Sequence, residues 1–328
     1  MATVIIVVLF ALAFDFTNGF HDSANAIATS VSTRALSPRV ALAMAALLNM
    51  AGALFFSKNV AETVGKGIVT LPADSQIVVL AALIGAIVWN LITWYFGLPS
   101  SSSHALIGGL VGATLVAVGT SGVEWTGIWD KVIVPMVTSP AIGFVLAFAL
   151  MALLIFLVHR WALAPVNRAF RLLQPISAGA VAVAHGMNDA QKTMGIITLT
   201  LVTSGQLSSF TIPTWVVVLS ALSMAAGTWV GGKRIIHTLG NKVIKLDPIH
   251  GFAAETTAAA VIFGAGHLGF PISTTQTITA SIMGTGATSG LRGVKWGVAG
   301  SIAWAWLFTL PAAGGVAALA YLVLARLT

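Results

Sequence analysis

Asn18-Gly-Phe-His-Asp-Ser-Ala-Asn-Ala-Ile-Ala-Thr29 is a polar stretch inside a chain otherwise greasy enough to live in lipid. Asn18, Asp22, Asn25 and Thr29 fall at i, i+4, i+7 and i+11, which is one face of a helix. A carboxylate on that face costs about 2.5–3.5 kcal/mol at mid-bilayer, so something must offset it. The stretch has an echo, His185-Gly-Met-Asn-Asp-Ala-Gln-Lys-Thr-Met-Gly195. Setting Gly19 on Gly186 puts Asp22 on Asp189, His21 on Asn188 and Asn25 on Lys192. Two polar, glycine-containing helix segments, each with one Asp and about half a chain apart, read as a duplicated ion-handling element.

Composition supports a membrane setting. Of 328 residues, 57% are hydrophobic and only 8% charged, where a soluble domain carries about 25% charged residues. The apolar runs match several spans of about 20 residues, and no series of alternating ten-residue strands appears. An all-α polytopic membrane protein is therefore expected rather than a barrel. The chain has no cysteine, hence no disulfide framework and no thiolate metal site. Lys and Arg number 16 against 9 acids, but they sit in short loops, which is a topology signal rather than a nucleic-acid footprint. Met1–Ala13 is apolar without a basic start and runs straight into the polar motif, so it reads as the outer half of the first span and not as a cleaved signal.

Candidate spans are Val4–Val31, Val40–Phe56, Ile77–Phe96, Ala105–Val118, Val132–Val158, Ile176–Val202, Trp215–Val230, Phe252–Ala265, Gln276–Thr285 and Trp296–Leu324. Pro135, Pro140 and Pro311 predict kinks or splits that bring the helical segments to about 12. Ala105–Val118 and Gln276–Thr285 are too short to cross alone. Each follows a Gly-x-Pro turn, as the returning arm of a re-entrant hairpin does: Gly97-Leu-Pro-Ser-Ser-Ser-Ser-His104 and Gly269-Phe-Pro-Ile-Ser-Thr-Thr-Gln276. The two repeated elements are offset by 167 and 172 residues, and Pro140 against Pro311 adds 171. Residues 1–160 and 176–328 therefore look like two copies of one unit, joined by a link at 161–175 that carries Arg168 and Arg171 and reads as a surface helix or loop.

Charge tests whether the copies are inverted. The loop after the first motif has Arg34 and Arg39, while its counterpart 204–213 has no charge. The next loop balances Lys58 and Lys66 with Glu62 and Asp74; its counterpart sets Lys233, Arg234, Lys242 and Lys245 against Asp247 alone. Threading a hairpin at each Gly-x-Pro turn puts these basic loops, the link, Arg292 and Lys295 inside. Only Lys58, Lys66, Lys131 and Arg326 fall outside, which satisfies the positive-inside rule and leaves both termini external.

Inverted repeats with interrupted helices are how many secondary transporters build a site at the midplane. A helix starting after Ser100–Ser103 presents free backbone N–H groups and the positive end of its dipole, and the helix after Ser273–Thr275 does the same from the other side. Two such ends converging make an anion site without a fixed cation. Asp22 and Asp189, with Asn25, Asn188 and nearby carbonyls, supply hard oxygens suited to Na⁺. Ser and Thr clusters in membranes also bond their own helix backbone, and it is the duplication that favours a binding role. His104 reads as a helix-start packing residue, since its counterpart is Gln276. Lys192 either neutralises a neighbouring Asp or touches the anion. Glu255 stands at a span start, with an ion-access or supporting role open. His21 and His185 do not align, so no shared role is expected of them.

These motifs resemble the inorganic phosphate transporter (PiT) family across nearly the whole chain, and the duplicated Gly-x-x-Asp motif is specific. The resemblance implies a cation-coupled phosphate symporter of inverted repeats and re-entrant hairpins, as a homodimer in the plasma membrane, with an elevator-like movement. By position it gives Asp22, Asn25 and Asp189, with Asn188, to the Na⁺ ions, and Ser101, Ser102, Ser103, Ser273, Thr274, Thr275, Gln191 and Asn25 to phosphate. Many relatives read Asn-Asp-x-x-Asn-Ala in the second motif, whereas Gln191-Lys192 stands there in this chain. The family also includes proton-coupled and sulfate-carrying members.

Dibasic phosphate carries nearly two charges, and each charge moved against 100 mV costs about 2.3 kcal/mol. Two Na⁺ cancel that charge and a third lets the potential drive uptake. Coupling to H⁺ is the weaker reading, because neither Asp has an obvious relay partner in the sequence. An intramembrane hydrolase built on Ser103 and His104 is disfavoured, since neighbours on one helix do not readily form a nucleophile–base pair and the second copy lacks the His. A passive channel fits poorly with a site enclosed on both sides.

Overall fold

The computed structural model describes residues 1–56 and 58–327 and is helical throughout, with no strand among the described residues. In order, the helices are α1 (Ala2–Ser32), α2 (Pro38–Phe55), α3 (Asn59–Lys66), α4 (Gln76–Phe96), α5 (Ser102–Ala117), α6 (Trp125–Ile128), α7 (Val134–Val158), α8 (Leu163–Thr203), α9 (Thr214–Val230), α10 (Lys233–His237), α11 (Pro248–His267), α12 (Thr274–Ala287) and α13 (Trp296–Leu324). Five stretches, Ala2–Ser32, Pro38–Phe55, Gln76–Phe96, Trp125–Val158 and Trp296–Leu324, are long and apolar enough to cross a bilayer. A sixth span forms if α9 is counted with Lys233–Lys242, bent from it by 61°.

Each of the ten candidate spans corresponds to one helix. The expected splits at proline do not occur: α7 runs through Pro140 and α13 through Pro311 unbroken. The extra segments are instead the short helices α3, α6 and α10. They lack the apolar length of a span; α3 buries Val60, Ala61 and Val64 and turns Glu62 and Lys66 outward. The link is helical from Leu163 and continuous with the second motif, so that α8 extends over 41 residues.

The two halves correspond element by element. Gly97 and Gly269 both end a helix at positive φ, +65° and +79°, where a side chain is strained. Ser101 and Ser273 then cap the next helix, accepting from the backbone N–H of His104 and Gln276, each at 3.2 Å. The hairpin α4–α5 is closed at its base by the antiparallel bridge Val69–Val123, and α11–α12 by Ile244–Val294.

Helices α1 and α8 run antiparallel through the centre. Met1 Sδ lies 3.6 Å from Gln206 Nε2 at one end, and Thr33 Oγ1 donates to Gln174 Oε1 at 2.5 Å at the other. The base of the first hairpin sits near the α1 N-terminus, where Asp74 N–H donates to Thr203 O at 3.0 Å. That of the second sits near its C-terminus, where Ser32 Oγ donates to Gly240 O at 2.5 Å and Lys295 N–H to Val243 O at 3.0 Å. The two hairpins thus open toward opposite ends of α1.

Packing exchanges partners between halves: α1 lies on α9 and α8 on α2, α5 on α13 and α12 on α7. Close approach at the motifs needs glycine. A Cβ on Gly19 would meet Met224 O at 2.3 Å, and one on Gly186 would meet Asn49 O at 2.0 Å. Both large apolar core clusters contain residues of both halves, which holds the two motifs against one another.

Candidate functional site

The motif glycines seat α1 on α9 and α8 on α2, and the acids of α1 and α8 meet between them. Ligand atoms of Asp22, Asp189 and His185 all lie within 4.8 Å of one another, and all three residues are buried. The sequence places the two aspartates 167 apart, and the antiparallel crossing of α1 and α8 brings them together.

The two capped helix starts converge on the same place. Gln276 Nε2 and His104 Nδ1, counterparts in the repeat, approach to 3.4 Å across the gap between α12 and α5. His104 is therefore the point where the two starts meet. Asn25 Nδ2 reaches from α1 to Thr275 Oγ1 at 2.9 Å and Thr274 Oγ1 at 3.3 Å. Thr274 Oγ1 donates in turn to Asp189 Oδ2 at 3.3 Å. On the α5 side, Ser103 Oγ donates to Ile272 O at 3.3 Å. The hydroxyls of Ser101 and Ser273 accept from their own helix starts, whereas Ser102 Oγ is buried without a hydrogen-bond partner.

The carboxamide oxygens of Asn25, Asn188 and Asn18 are also buried and unpartnered. Asn188 is anchored by its Nδ2, which donates to Phe270 O at 3.1 Å in the second Gly-x-Pro turn. Oxygens left bare beside two carboxylates are the donor set a hard cation takes.

Gln191, expected at the phosphate, has its carboxamide engaged at a third helix start. Its Oε1 accepts from Val60 N–H at 2.9 Å and Ala61 N–H at 3.3 Å at the start of α3, and its Nε2 donates to Met187 O at 2.6 Å. The carboxamide caps α3, whose first N–H groups would otherwise lack acceptors. Of the two options for Lys192, the structure shows the pairing with an Asp: its Nζ donates to Asp189 Oδ1, to Ser103 Oγ at 2.5 Å and to Ile272 O at 3.2 Å.

The expectation that neither Asp has a relay partner is overturned. His21 Nδ1 is 2.5 Å from Asp22 Oδ1, and His185 Nε2 is 3.1 Å from Asp189 Oδ2. The pairs are hidden in sequence because one is formed by neighbours and the other at i,i+4. His21 Nε2 continues to Thr93 Oγ1 at 3.0 Å, and His185 Nδ1 to Asn49 Oδ1 at 3.3 Å.

Two further acids are buried near the motif helices. Glu255 accepts from Thr29 Oγ1 at 2.5 Å, Ser30 Oγ at 2.6 Å and Ser177 Oγ at 2.5 Å, tying α11 to α1 and α8. Asp15, absent from the sequence-based candidates, is fully buried with both carboxylate oxygens unpartnered. It stands seven residues before Asp22, on the same helix face, and that spacing was the signal available.

The sequence model of the Phosphate transporter family matches residues 18–167 and 159–317. The chain is 51% identical over 312 residues to a protein of Rhizobium meliloti (strain 1021) named "Probable low-affinity inorganic phosphate transporter", covering 95% of this chain and 93% of that one. A protein of Bacillus subtilis (strain 168) bearing the same name is 48% identical over 324 residues, covering 98% and 96%. A solved structure described as "The sodium-dependent phosphate transporter" is similar with a TM-score of 0.91 and 26% identity, over 100% of both chains.

Proposed function

Because the chain belongs to the phosphate transporter family, we propose that it takes up inorganic phosphate by symport with Na⁺. The observation that carries this reading is the meeting of two hydroxyl-rich helix starts beside two aspartates where α1 and α8 cross. Phosphate is held by the free N–H groups at the starts of α5 and α12 and by the hydroxyls of Ser102, Ser103, Thr274 and Thr275. Each helix adds the positive end of its dipole. Asp22 and Asp189, with the bare oxygens of Asn25 and Asn188, hold the cation charge that lets the anion enter a low-dielectric interior. The sodium dependence named for the similar solved structure supports Na⁺ as the ion.

The halves act as inverted repeats, with both termini external and the chain paired as a homodimer in the plasma membrane. The opposite openings of the two hairpins support that arrangement, and alternating exposure of the shared site to the two faces carries the substrate across. The test is uptake of labelled phosphate by proteoliposomes under an inward Na⁺ gradient. Accumulation that survives replacement of Na⁺ by K⁺ removes the Na⁺ coupling, and competition by sulfate equal to that by phosphate removes the substrate assignment.

A second reading, coupling to H⁺, is favoured by the two His–Asp contacts. A histidine ring held against a carboxylate offers two nitrogens along which a proton can be passed. An imposed inward pH gradient that drives uptake without Na⁺ selects it.

A further inference from the structure

Lys192 Nζ is buried among a carboxylate oxygen of Asp189, the Ser103 hydroxyl at 2.5 Å and the Ile272 carbonyl at 3.2 Å. A carboxylate, a hydroxyl and a backbone carbonyl form an all-oxygen set that a hard monovalent cation would otherwise occupy. The repeat shows what stands at the equivalent place in the other half. Residue 25 corresponds to 192, and Ser103 to Thr275. The bond from Asn25 Nδ2 to Thr275 Oγ1, at 2.9 Å, is therefore the mirror of that from Lys192 Nζ to Ser103 Oγ. The same geometry ends in a neutral amide on one side and in an ammonium on the other.

The surroundings follow the difference. Beside Lys192, the Asp189 carboxylate is met by the ammonium, His185 and Thr274. On the other side Asn25 Oδ1 is unpartnered, and so is Ser102 Oγ, the counterpart of Thr274. One cation place is filled by the chain itself; the other is open.

We propose that Lys192 is a tethered substitute for one coupling cation, so that this chain moves one exchangeable cation fewer per phosphate, with the remaining ion at Asp22 and Asn25. The inference rests on the cation-coupled reading above and narrows its two or three ions. An ammonium that cannot leave travels back with the empty carrier, so it neutralises Asp189 in every state yet contributes nothing to the charge moved per cycle. It also contributes nothing to the driving force, since only an ion that is released couples its gradient to phosphate.

The experiment compares wild type with Lys192→Asn, which installs the residue of the other half, and Lys192→Arg, which keeps the charge. Proteoliposomes are loaded for simultaneous ²²Na⁺ and ³²P-phosphate flux, and ²²Na⁺ binding to the purified protein is measured with and without phosphate. Wild type and Lys192→Arg are expected to give about one Na⁺ per phosphate, and Lys192→Asn about two, with a steeper Na⁺ dependence of phosphate binding. A wild-type ratio of two or more overturns the proposal, as does a phosphate-binding Lys192→Asn protein whose Na⁺ stoichiometry is unchanged. The parent reading fails separately. If wild type ignores Na⁺ while Lys192→Asn acquires Na⁺ binding, Na⁺ coupling of the natural protein is wrong and the tethered cation stands. If neither protein binds Na⁺, both are wrong.

Discussion

The surroundings of Asp22 and Asp189 grow from one duplicated element, yet they have diverged in a specific way. Asp22 has a histidine at 2.5 Å and lies by an asparagine with a bare oxygen; Asp189 has a histidine at 3.1 Å and the ammonium of Lys192. Backbone geometry is shared to the level of mirrored contacts, from the serine caps to the bonds of residues 25 and 192. The sharpest difference is one of side-chain charge, an amide at 25 against an ammonium at 192. On the proposed reading, duplication sets where a cation place is built, and the residue at 25 or 192 decides whether an ion or the chain itself fills it.

The largest effect should come from the filled side. Asp189→Asn leaves Lys192 as a buried ammonium without its carboxylate, and breaking a buried pair in this way costs about 3–5 kcal/mol. Loss of thermal stability in detergent and loss of transport are expected together. The double variant Asp189→Asn with Lys192→Asn removes both charges, so most of the stability should return while uptake stays absent. Stability that does not return would mean that Asp189 is held chiefly by His185 and Thr274, and the contrast between the sides would weaken.

Asp22→Asn should separate the two losses. His21 can stay neutral beside an amide, so no charge is stranded, and the stability cost is expected to be about 1–3 kcal/mol. Cation-dependent phosphate binding should nevertheless fall by about 100-fold or more, since a carboxylate lost from a water-poor site forfeits a strong electrostatic contact of a few kcal/mol. Binding measured calorimetrically across Na⁺ concentrations checks it. Equal stability losses in Asp22→Asn and Asp189→Asn would erase the distinction drawn here.

The legible and illegible parts of this protein divide along the same physics. The duplicated motifs, the glycine turns and all ten apolar spans could be read because each is a local pattern of residue type. The convergence of Ser101–Ser103 with Ser273–Thr275 followed from the repeat. What was not legible depended on partners distant in sequence. Gln191 reads as an anion ligand by position, and its service as acceptor for Val60 and Ala61 N–H could not be read there. The His partner of each Asp arises from side-chain direction, which alignment of the copies conceals. The splits expected at Pro140 and Pro311 did not occur, and α7 and α13 run through both prolines.

A finer comparison uses the serines of α5. Ser103 is bonded to Lys192 and Ile272, whereas the Ser102 hydroxyl has no partner among the described residues. Ser103→Ala should cost about 1–3 kcal/mol because it leaves a charged donor short of an acceptor. Ser102→Ala should be nearly neutral for stability and raise the phosphate KM several-fold, since its hydroxyl is free for the ligand. Melting curves paired with uptake kinetics test the contrast. A stability loss in Ser102→Ala larger than that in Ser103→Ala would show that the open side is not open.

The smallest effect is expected at an acid outside the site. Glu62 pairs with Lys66 at 3.5 Å on the surface of α3, its side chain 60% exposed. Solvent and salt screen such an i,i+4 pair to about 0.3–0.5 kcal/mol, so Glu62→Gln should barely move the melting temperature. Glu62 and Lys66 line a polar recess of about 350 Å³ that also includes Lys131 and reaches Gly269, the start of the second turn. Removing a negative charge from that recess makes it slightly more attractive to an anion, by a long-range effect that fades as ionic strength rises. Phosphate uptake by Glu62→Gln should therefore stay within about twofold of wild type, with any increase confined to low salt. If Glu62→Gln instead abolished uptake as Asp22→Asn does, the acid at the surface would share the work assigned to the buried pair, and the comparison of the two sides would have to include a third.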